Sequence, residues 1–347
     1  MSKSLKKISL LIICVLLLNS CALKDRANKN YRDNYQASFF AFDTECNITV
    51  FDAKNNTKKY VDKLIDEMLR YDKMFSKIST ASEIYKINHR ASNEVETDFE
   101  VANLFILAKE LYLWSDKTFD VSAGYLYNLW DVKNRKTLPS EEDIEKSLMY
   151  KSIYDYEVIL SDDVDERKAK IIFNDKENAL YDFGALVKGY VSDRIKTIIY
   201  EDGIIDSAII NLGGNVCCIG EKKDRDDKSF YVGIFKPFSE GEIAKKVMVK
   251  GKCVITSGNY QRYFKVPGDD RIYHHIINPK TGYPTNNGID SVTIISENGL
   301  LGDYLSTASM LLGYEKSKEL IDKCKVAFED NDIEAIYIYS NGKIEEY

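Results

Sequence analysis

No C-x-x-C pair occurs in this chain, and its seven cysteines show no metal-ligand spacing. Cys46, Cys217, Cys218, Cys253 and Cys324, those outside the N-terminal segment, are odd in number, which argues for buried thiols over a zinc site or a disulfide scaffold. Positive charge is also short. With 48 basic against 55 acidic residues in 347 and no basic block, nucleic acid is excluded as the main partner. An anionic ligand would then need local help, from a metal or from backbone N–H groups. The chain has no internal repeat and no low-complexity tract. Histidine is scarce: three residues, two of them adjacent at His274-His275, where an apolar run meets an Asn-Pro turn.

The single long apolar run, Ile8 to Leu18, is too short for a comfortable bilayer span. It follows Lys3, Lys6 and Lys7 and precedes Leu18-Asn19-Ser20-Cys21, the layout of a lipoprotein signal peptide with Cys21 as the lipidated residue. An uncleaved N-terminal anchor is the other reading. Cleavage removes those three lysines, leaving 45 basic residues and a formal charge of -10. Residues 1–20 are thus expected to be a signal peptide, polar residues 21–37 a flexible tether, and 38–347 the folded domain.

Apolar spacing predicts a helix over 57–73, 98–114 is a second helix apolar enough to be largely buried, and a third opens at Ser140. Beyond residue 156 the texture turns to short β runs: 157–161, 170–174, 178–184, 207–212, 229–235, 246–256, 261–266, 271–277 and 291–296. Helices over 186–201, 300–312 and 315–325 interrupt them, and Asn341-Gly342 closes a last hairpin. This order predicts an α+β fold of mixed or antiparallel sheets with packed helices, arranged as two intertwined subdomains.

Four loops combine glycine with polar residues. Asp182 and Lys188 flank Gly184 at a strand-to-helix turn, fitting either an anion bound at the helix N-terminus or an ordinary cap with a solvated lysine. Asn211-Leu-Gly-Gly-Asn215 allows close backbone approach but also serves as a plain turn. Asp303 and Thr307, four apart with Ser306 beside them, put hard oxygen donors on one helical face, as Mg²⁺ requires; an acidic first turn with threonine back-bonding is the alternative. The fourth is the histidine pair, in which strand alternation lets just one ring serve a given pocket.

Together the motifs resemble those of the ApbE-type flavin transferases. The similar pieces are Phe42-Asp43-Thr44, "FDVSAGYLYNLW" (119–130), "DFGALVKGYVSDRI" (182–195), "INLGGN" (210–215), "TSGNYQRYF" (256–264), "HHIINPKTGYP" (274–284) and "GDYLSTASMLLG" (302–313). They run in family order over nearly the whole mature chain. The resemblance implies an ApbE-like domain catalysing Mg²⁺-dependent transfer of FMN from FAD to a Thr or Ser hydroxyl of a target redox protein, with release of AMP. It places flavin contacts on Phe42, Ser122, Ala123, Gly124, Asp182 and Lys188, and the metal on the Ala185 carbonyl, Asp303 and Thr307. His275 falls beside the scissile diphosphate, and His274 is left a structural role. Asn278 shares the catalytic turn but replaces the family's Asp. Phe42-Asp43 replaces Met-Gly, and Ile78 stands where many members carry an aromatic.

Physical chemistry agrees with that assignment. A diphosphate brings about two negative charges, and an attacking hydroxyl is weak at neutral pH without a base or metal. The expected partners are FAD, an extracytoplasmic or membrane redox acceptor, and the membrane itself through the lipid anchor. The expected location is the extracytoplasmic face of the cell membrane. Two other readings are FAD hydrolysis to FMN and AMP, and a non-catalytic flavin-binding lipoprotein.

Overall fold

The structure, a computed structural model, describes residues 34–150, 155–161, 167–174 and 179–347. The segment 1–20, Cys21 and the tether as far as residue 33 lie outside the described residues.

Tyr35–Ala41 (β1) and Thr44–Val50 (β2) open the fold as an antiparallel hairpin. β1 was not expected. It takes in the last three residues assigned to the tether, because alternate side chains from Tyr35 onward turn towards the core. Thr57–Phe75 (α1) follows as predicted, burying Tyr60, Val61, Leu64, Met68, Tyr71 and Phe75 at helical spacing. Glu83–Asn88 (α2), Glu94–Asp98 (β3), Phe99–Trp114 (α3), Gly124–Trp130 (α4) and Glu141–Met149 (α5) come next. Ser140 caps α5 as its sequence position implied, accepting the Asp143 N–H. Tyr156–Leu160 (β4) and Lys168–Phe173 (β5) join β3 in a three-stranded antiparallel sheet with β5 in the middle.

Val187–Asp202 (α6) ends at Gly203, whose φ of 60° supplies the left-handed cap. Ser207–Leu212 (β6), Asn215–Gly220 (β7), Phe230–Phe235 (β8), Ile243–Val249 (β9), Cys253–Gly258 (β10), Tyr263–Lys265 (β11), Ile272–His274 (β12) and Ile289–Ser296 (β13) follow. Gly299–Leu312 (α7) and Tyr314–Ala327 (α8) precede the closing hairpin of Glu334–Tyr339 (β14) and Ile344–Glu346 (β15).

Three expectations need correction. The run 178–184 is not a strand: among its described residues it forms one isolated parallel bridge, Leu180 to Ala123, because the backbone turns at 182–186 to start α6. The run 246–256 is two strands in different sheets, β9 and β10, broken where Gly251 takes a φ of 61°. The run 271–277 stops as a strand at His274, because the Asn278 turn draws the following backbone away from β11.

The α+β assignment holds. Eight strands form one antiparallel sheet in the order β1-β2-β6-β7-β10-β13-β14-β15. β13 is buried at every position, as a strand covered on both faces must be. One face packs on α1, α6 and α7 in the largest core cluster. Phe230, Ile234, Val247 and Val249 of the β8–β9 hairpin cover the other, against Cys218, Val254 and Ile336. A third cluster, with Leu126, Trp130, Ile144, Phe264, Tyr273 and Ile277, fastens α4 and α5 to the β11–β12 hairpin. All five described cysteines are free and buried, as expected.

Candidate functional site

α6 begins beside α7. Gly189 permits this approach, since a Cβ there would lie 2.2 Å from the Gly299 carbonyl oxygen and 2.8 Å from Asp303 Cβ. The Gly189 N–H donates to Asp303 Oδ2 at 3.0 Å. In a helix extended by one turn it would have bonded the Ala185 carbonyl, which is thereby left outside the helical ladder of α6. Asp303 is 3% exposed, and its other oxygen lies 3.8 Å from Lys188 Nζ. Lys188 also donates to the Gly184 carbonyl at 3.4 Å, so the 182–186 turn, the start of α6 and Asp303 form one unit.

The hydroxyls of α7 add to this unit. Ser257 on β10 sits 2.9 Å from Ser306 Oγ and 3.0 Å from Thr307 Oγ1. Ser306 is fully buried and donates back to the Asp303 carbonyl, whereas Thr307 is half-buried. Asp303 carboxylate, Thr307 hydroxyl and the unpaired Ala185 carbonyl are hard oxygen donors suited to a small divalent cation. No three His, Cys, Asp or Glu side chains converge among the described residues, so a cation held here would also need oxygens from a substrate or water. Oxygen type, the Gly189–Gly299 close approach and the diverted N–H all fit such an ion.

His275 lies within electrostatic reach of Lys188. Its backbone N–H donates to the Arg262 carbonyl at 3.2 Å, and Nδ1 lies 3.3 Å from the same oxygen. A carbonyl can only accept, so Nδ1 carries the proton and Nε2 is the basic nitrogen. Burial first, then the adjoining His274 ring and the positive Arg262 and Lys188, push the ring down to about 4, leaving it neutral. His274 lies on the buried side, its Nε2 donating to the Thr285 carbonyl at 2.7 Å while Nδ1 accepts the Ile276 N–H. The two rings thus divide as strand alternation implied. Asn278 builds the turn: its side-chain oxygen accepts the Lys280 N–H at 2.9 Å, and its carbonyl accepts from Thr281 and Gly282. Trp130 anchors that turn by donating Nε1–H to the Gly282 carbonyl at 2.7 Å.

The expected flavin contacts separate into two groups. Asp182 is bonded on both oxygens, to the Gly184 N–H at 2.9 Å and to Lys77 Nζ at 2.6 Å. Its backbone N–H reaches the Val121 carbonyl, joining this turn to the 120–124 loop. Ser122 and Ala123 are buried inside that loop, with the Ser122 hydroxyl donating to Asp120. Gly124 abuts Leu180, whose carbonyl oxygen would lie 2.5 Å from an added Cβ. These three positions hold the loop against the turn. Phe42 stands apart, half-buried at the tip of the β1–β2 hairpin, where it and Asp43 both take positive φ. Asp43 pairs with Lys133 and Arg262, which brings this tip to the His275 side. Ile78 is 80% exposed.

Residue-level reading gave no role to Lys77, Ser257 or Arg262. Lys77 reaches Asp182 from 105 positions away, and no local pattern announces such a pair. Ser257 had one faint signal, its place in an inward-facing Thr-Ser-Gly strand end.

The ApbE family model matches residues 42–336. The chain belongs to the ApbE family. A relative from Klebsiella pneumoniae (strain 342), named FAD:protein FMN transferase, is 32% identical over 278 residues, covering 79% of this chain and 80% of that protein. A protein of the same name from Treponema pallidum (strain Nichols) is 26% identical over 349 residues, with 96% and 91% covered. The crystal structure of the ApbE protein from Thermotoga maritima superposes with a TM-score of 0.76 at 29% identity, over 90% of this chain and 96% of that one. The flavin transferase ApbE from Vibrio cholerae shares the fold at a TM-score of 0.72 and 21% identity, with 91% and 96% covered. The named relatives are transferases, and the ApbE match spans every element that builds the site.

Proposed function

We propose that this ApbE protein is an FAD:protein FMN transferase that moves FMN from FAD onto a Thr or Ser hydroxyl of a redox protein and releases AMP. The observation that carries this reading is the convergence of Asp303 with the first turn of α6, with Lys188 bridging both. Positive charge and one buried carboxylate meet there at a helix start, which suits a diphosphate together with a cation.

Asp303, Thr307 and the Ala185 carbonyl would hold Mg²⁺. Bound there, the ion would neutralise diphosphate charge that grows as the reaction proceeds. The chain's own groups perform the rest. The acceptor hydroxyl oxygen forms a bond to the flavin-side phosphorus as the bond from that phosphorus to the bridging oxygen breaks. AMP departs with the electron pair. Neutral His275, basic at Nε2, takes the hydroxyl proton. Lys188 lies where it attracts the phosphates, and Asp182, locked by Lys77 and the Gly184 N–H, keeps the turn in one conformation. Asn278 fixes the backbone after His275 and carries no proton.

The signal layout ending at Cys21 supports a lipid anchor, with a short tether holding the enzyme at the extracytoplasmic face, where membrane redox subunits are reachable. Incubating the protein with FAD, MgCl₂ and a candidate redox subunit tests the reading. Acceptor mass should rise by one FMN as AMP appears in equal amount. Free FMN with an unlabelled acceptor means hydrolysis, and unchanged FAD means binding alone; either result refutes the transfer.

A further inference from the structure

α6 and α7 exchange carboxylates. Asp303 of α7 accepts the Gly189 N–H at the start of α6. In return Asp193 of α6 accepts both free N–H groups at the start of α7, Gly299 at 2.7 Å on Oδ1 and Leu300 at 2.8 Å on Oδ2. Each carboxylate stands four residues, one helical turn, beyond the glycine whose N–H the other receives. Those two glycines are also where the backbones meet: a Cβ on Gly299 would lie 2.8 Å from the Gly189 carbonyl oxygen and 3.0 Å from Asp193 Oδ1. Lys196, one turn further along α6, secures the approach to α7 by donating to the Glu297 and Gly251 carbonyls.

The two carboxylates nonetheless differ in what they can do. Asp303 also faces Lys188, Thr307 lies one turn beyond it, and it has an oxygen to offer outward. Asp193 has both oxygens committed to the α7 N-terminus. Burial raises its carboxyl to about 6, against the opposing pull of those N–H groups and Lys196. A serine, asparagine or threonine could cap α7 from within its own chain, and Asn298 already does so by accepting the Leu301 N–H. Only a group from α6 can tie the two helices to each other.

We propose that Asp193 is a positioning residue for the cation site: by fixing the first turn of α7 against α6 it sets where Asp303 and Thr307 stand relative to the Ala185 carbonyl. The proposal rests on the cation reading given above and adds a residue that touches neither ion nor substrate. Its signature is specific. Loosening the clamp leaves every ligand in place chemically and misplaces them together, so the cost falls on ion affinity. Rate at saturating ion changes little.

The whole mature protein, its Asp193→Asn and Asp193→Ala variants and an Asp303→Asn control would be titrated calorimetrically with Mn²⁺ beside ADP, a diphosphate that cannot transfer FMN. Asp193→Asn retains one acceptor oxygen and nearly the same volume, so it remains informative if Asp193→Ala does not fold. Loss of a residue that orients a metal's ligands typically costs about 10–100-fold in metal affinity. The expected result is at least a tenfold weaker Mn²⁺ affinity for Asp193→Asn, with transfer at saturating Mn²⁺ within about threefold of wild type. Wild-type Mn²⁺ affinity in Asp193→Asn beside a crippled Asp303→Asn overturns this proposal alone. Wild-type affinity in Asp303→Asn, or no Mn²⁺ binding by the parent protein, overturns the cation reading and this proposal with it.

Discussion

Ser257 Oγ stands 3.0 Å from Thr307 Oγ1, linking the end of strand β10 to the outward flank of helix α7. The same oxygen lies 2.9 Å from Ser306 Oγ, which itself donates to the Asp303 carbonyl. Ser257 therefore orients Thr307 and braces the turn of α7 that bears Asp303. Ser257→Ala should cost about 1 kcal/mol of stability, the net worth of a hydrogen bond. The Mg²⁺ concentration giving half-maximal transfer should rise about tenfold. A Mg²⁺ titration of initial rate checks this, and an unchanged midpoint would show that Thr307 needs no such support.

Lys77 and Asp182 form the ion pair that closes the 182–186 turn, at 2.6 Å. Both side chains are partly exposed, so the pair itself contributes under about 1 kcal/mol, at most a fivefold effect on FAD affinity when Lys77 becomes alanine. Asp182→Ala removes the Gly184 N–H acceptor as well and unlatches the turn. It should raise the apparent KM for FAD by about tenfold or more. The order of the two effects is the point to measure, by steady-state kinetics with FAD varied. A larger loss in Lys77→Ala would mean that the lysine meets the substrate directly.

Much of this was legible in the sequence, for reasons that differ by element. α1 follows from apolar spacing, α3 from its sustained apolar content, and α6 from Gly203 at its end, because helical-face burial, overall hydrophobicity and left-handed capping are local signals. Asp303 and Thr307 were recognisable as oxygen donors on one face since that too is local. Lys77 and Asp193 were not, because each acts on a residue over 100 positions away. The 178–184 run failed as a strand for a related reason: its apolar residues Ala179, Tyr181 and Phe183 fill the core from a turn, and burial alone does not distinguish the two. The β9–β10 break was signalled by Gly251 within a β-branched run, a weak mark outweighed by the hydrophobicity on either side.

Gly282 shows how tightly the histidine turn is built. Its φ is 81°, a Cβ would lie 2.3 Å from Ile144 Cγ2, and its carbonyl holds Trp130. Left-handed strain of about 1–2 kcal/mol and overpacking of about 1–3 kcal/mol both act on Gly282→Ala. Denaturant unfolding should register a loss of about 3 kcal/mol. Transfer should fall along with it, since the turn that directs His275 has to shift. A variant as stable as the parent would mean that α5 yields freely.

The two histidines set a pH dependence whose sign can be worked out. Both rings are held below the ordinary histidine range by burial, His275 to about 4. As pH falls below about 6.5 the unfolded chain takes up protons that the folded rings refuse, so stability is complete above that value and is lost towards pH 4. For His275 alone the loss approaches about 3 kcal/mol at the acid end, at roughly 1.4 kcal/mol per unit of pKa shift. Denaturant midpoints at pH 7.5 and 5.0 should differ clearly in the parent and much less in His275→Gln. The transfer rate should follow a separate rule: because Nε2 is already unprotonated, its acid limb should lie below pH 6, and His275→Ala should lower the rate about 100-fold or more across the plateau. An acid limb at 6.5 would instead describe a solvated imidazole, and a plateau untouched by His275→Ala would assign the hydroxyl proton to another acceptor.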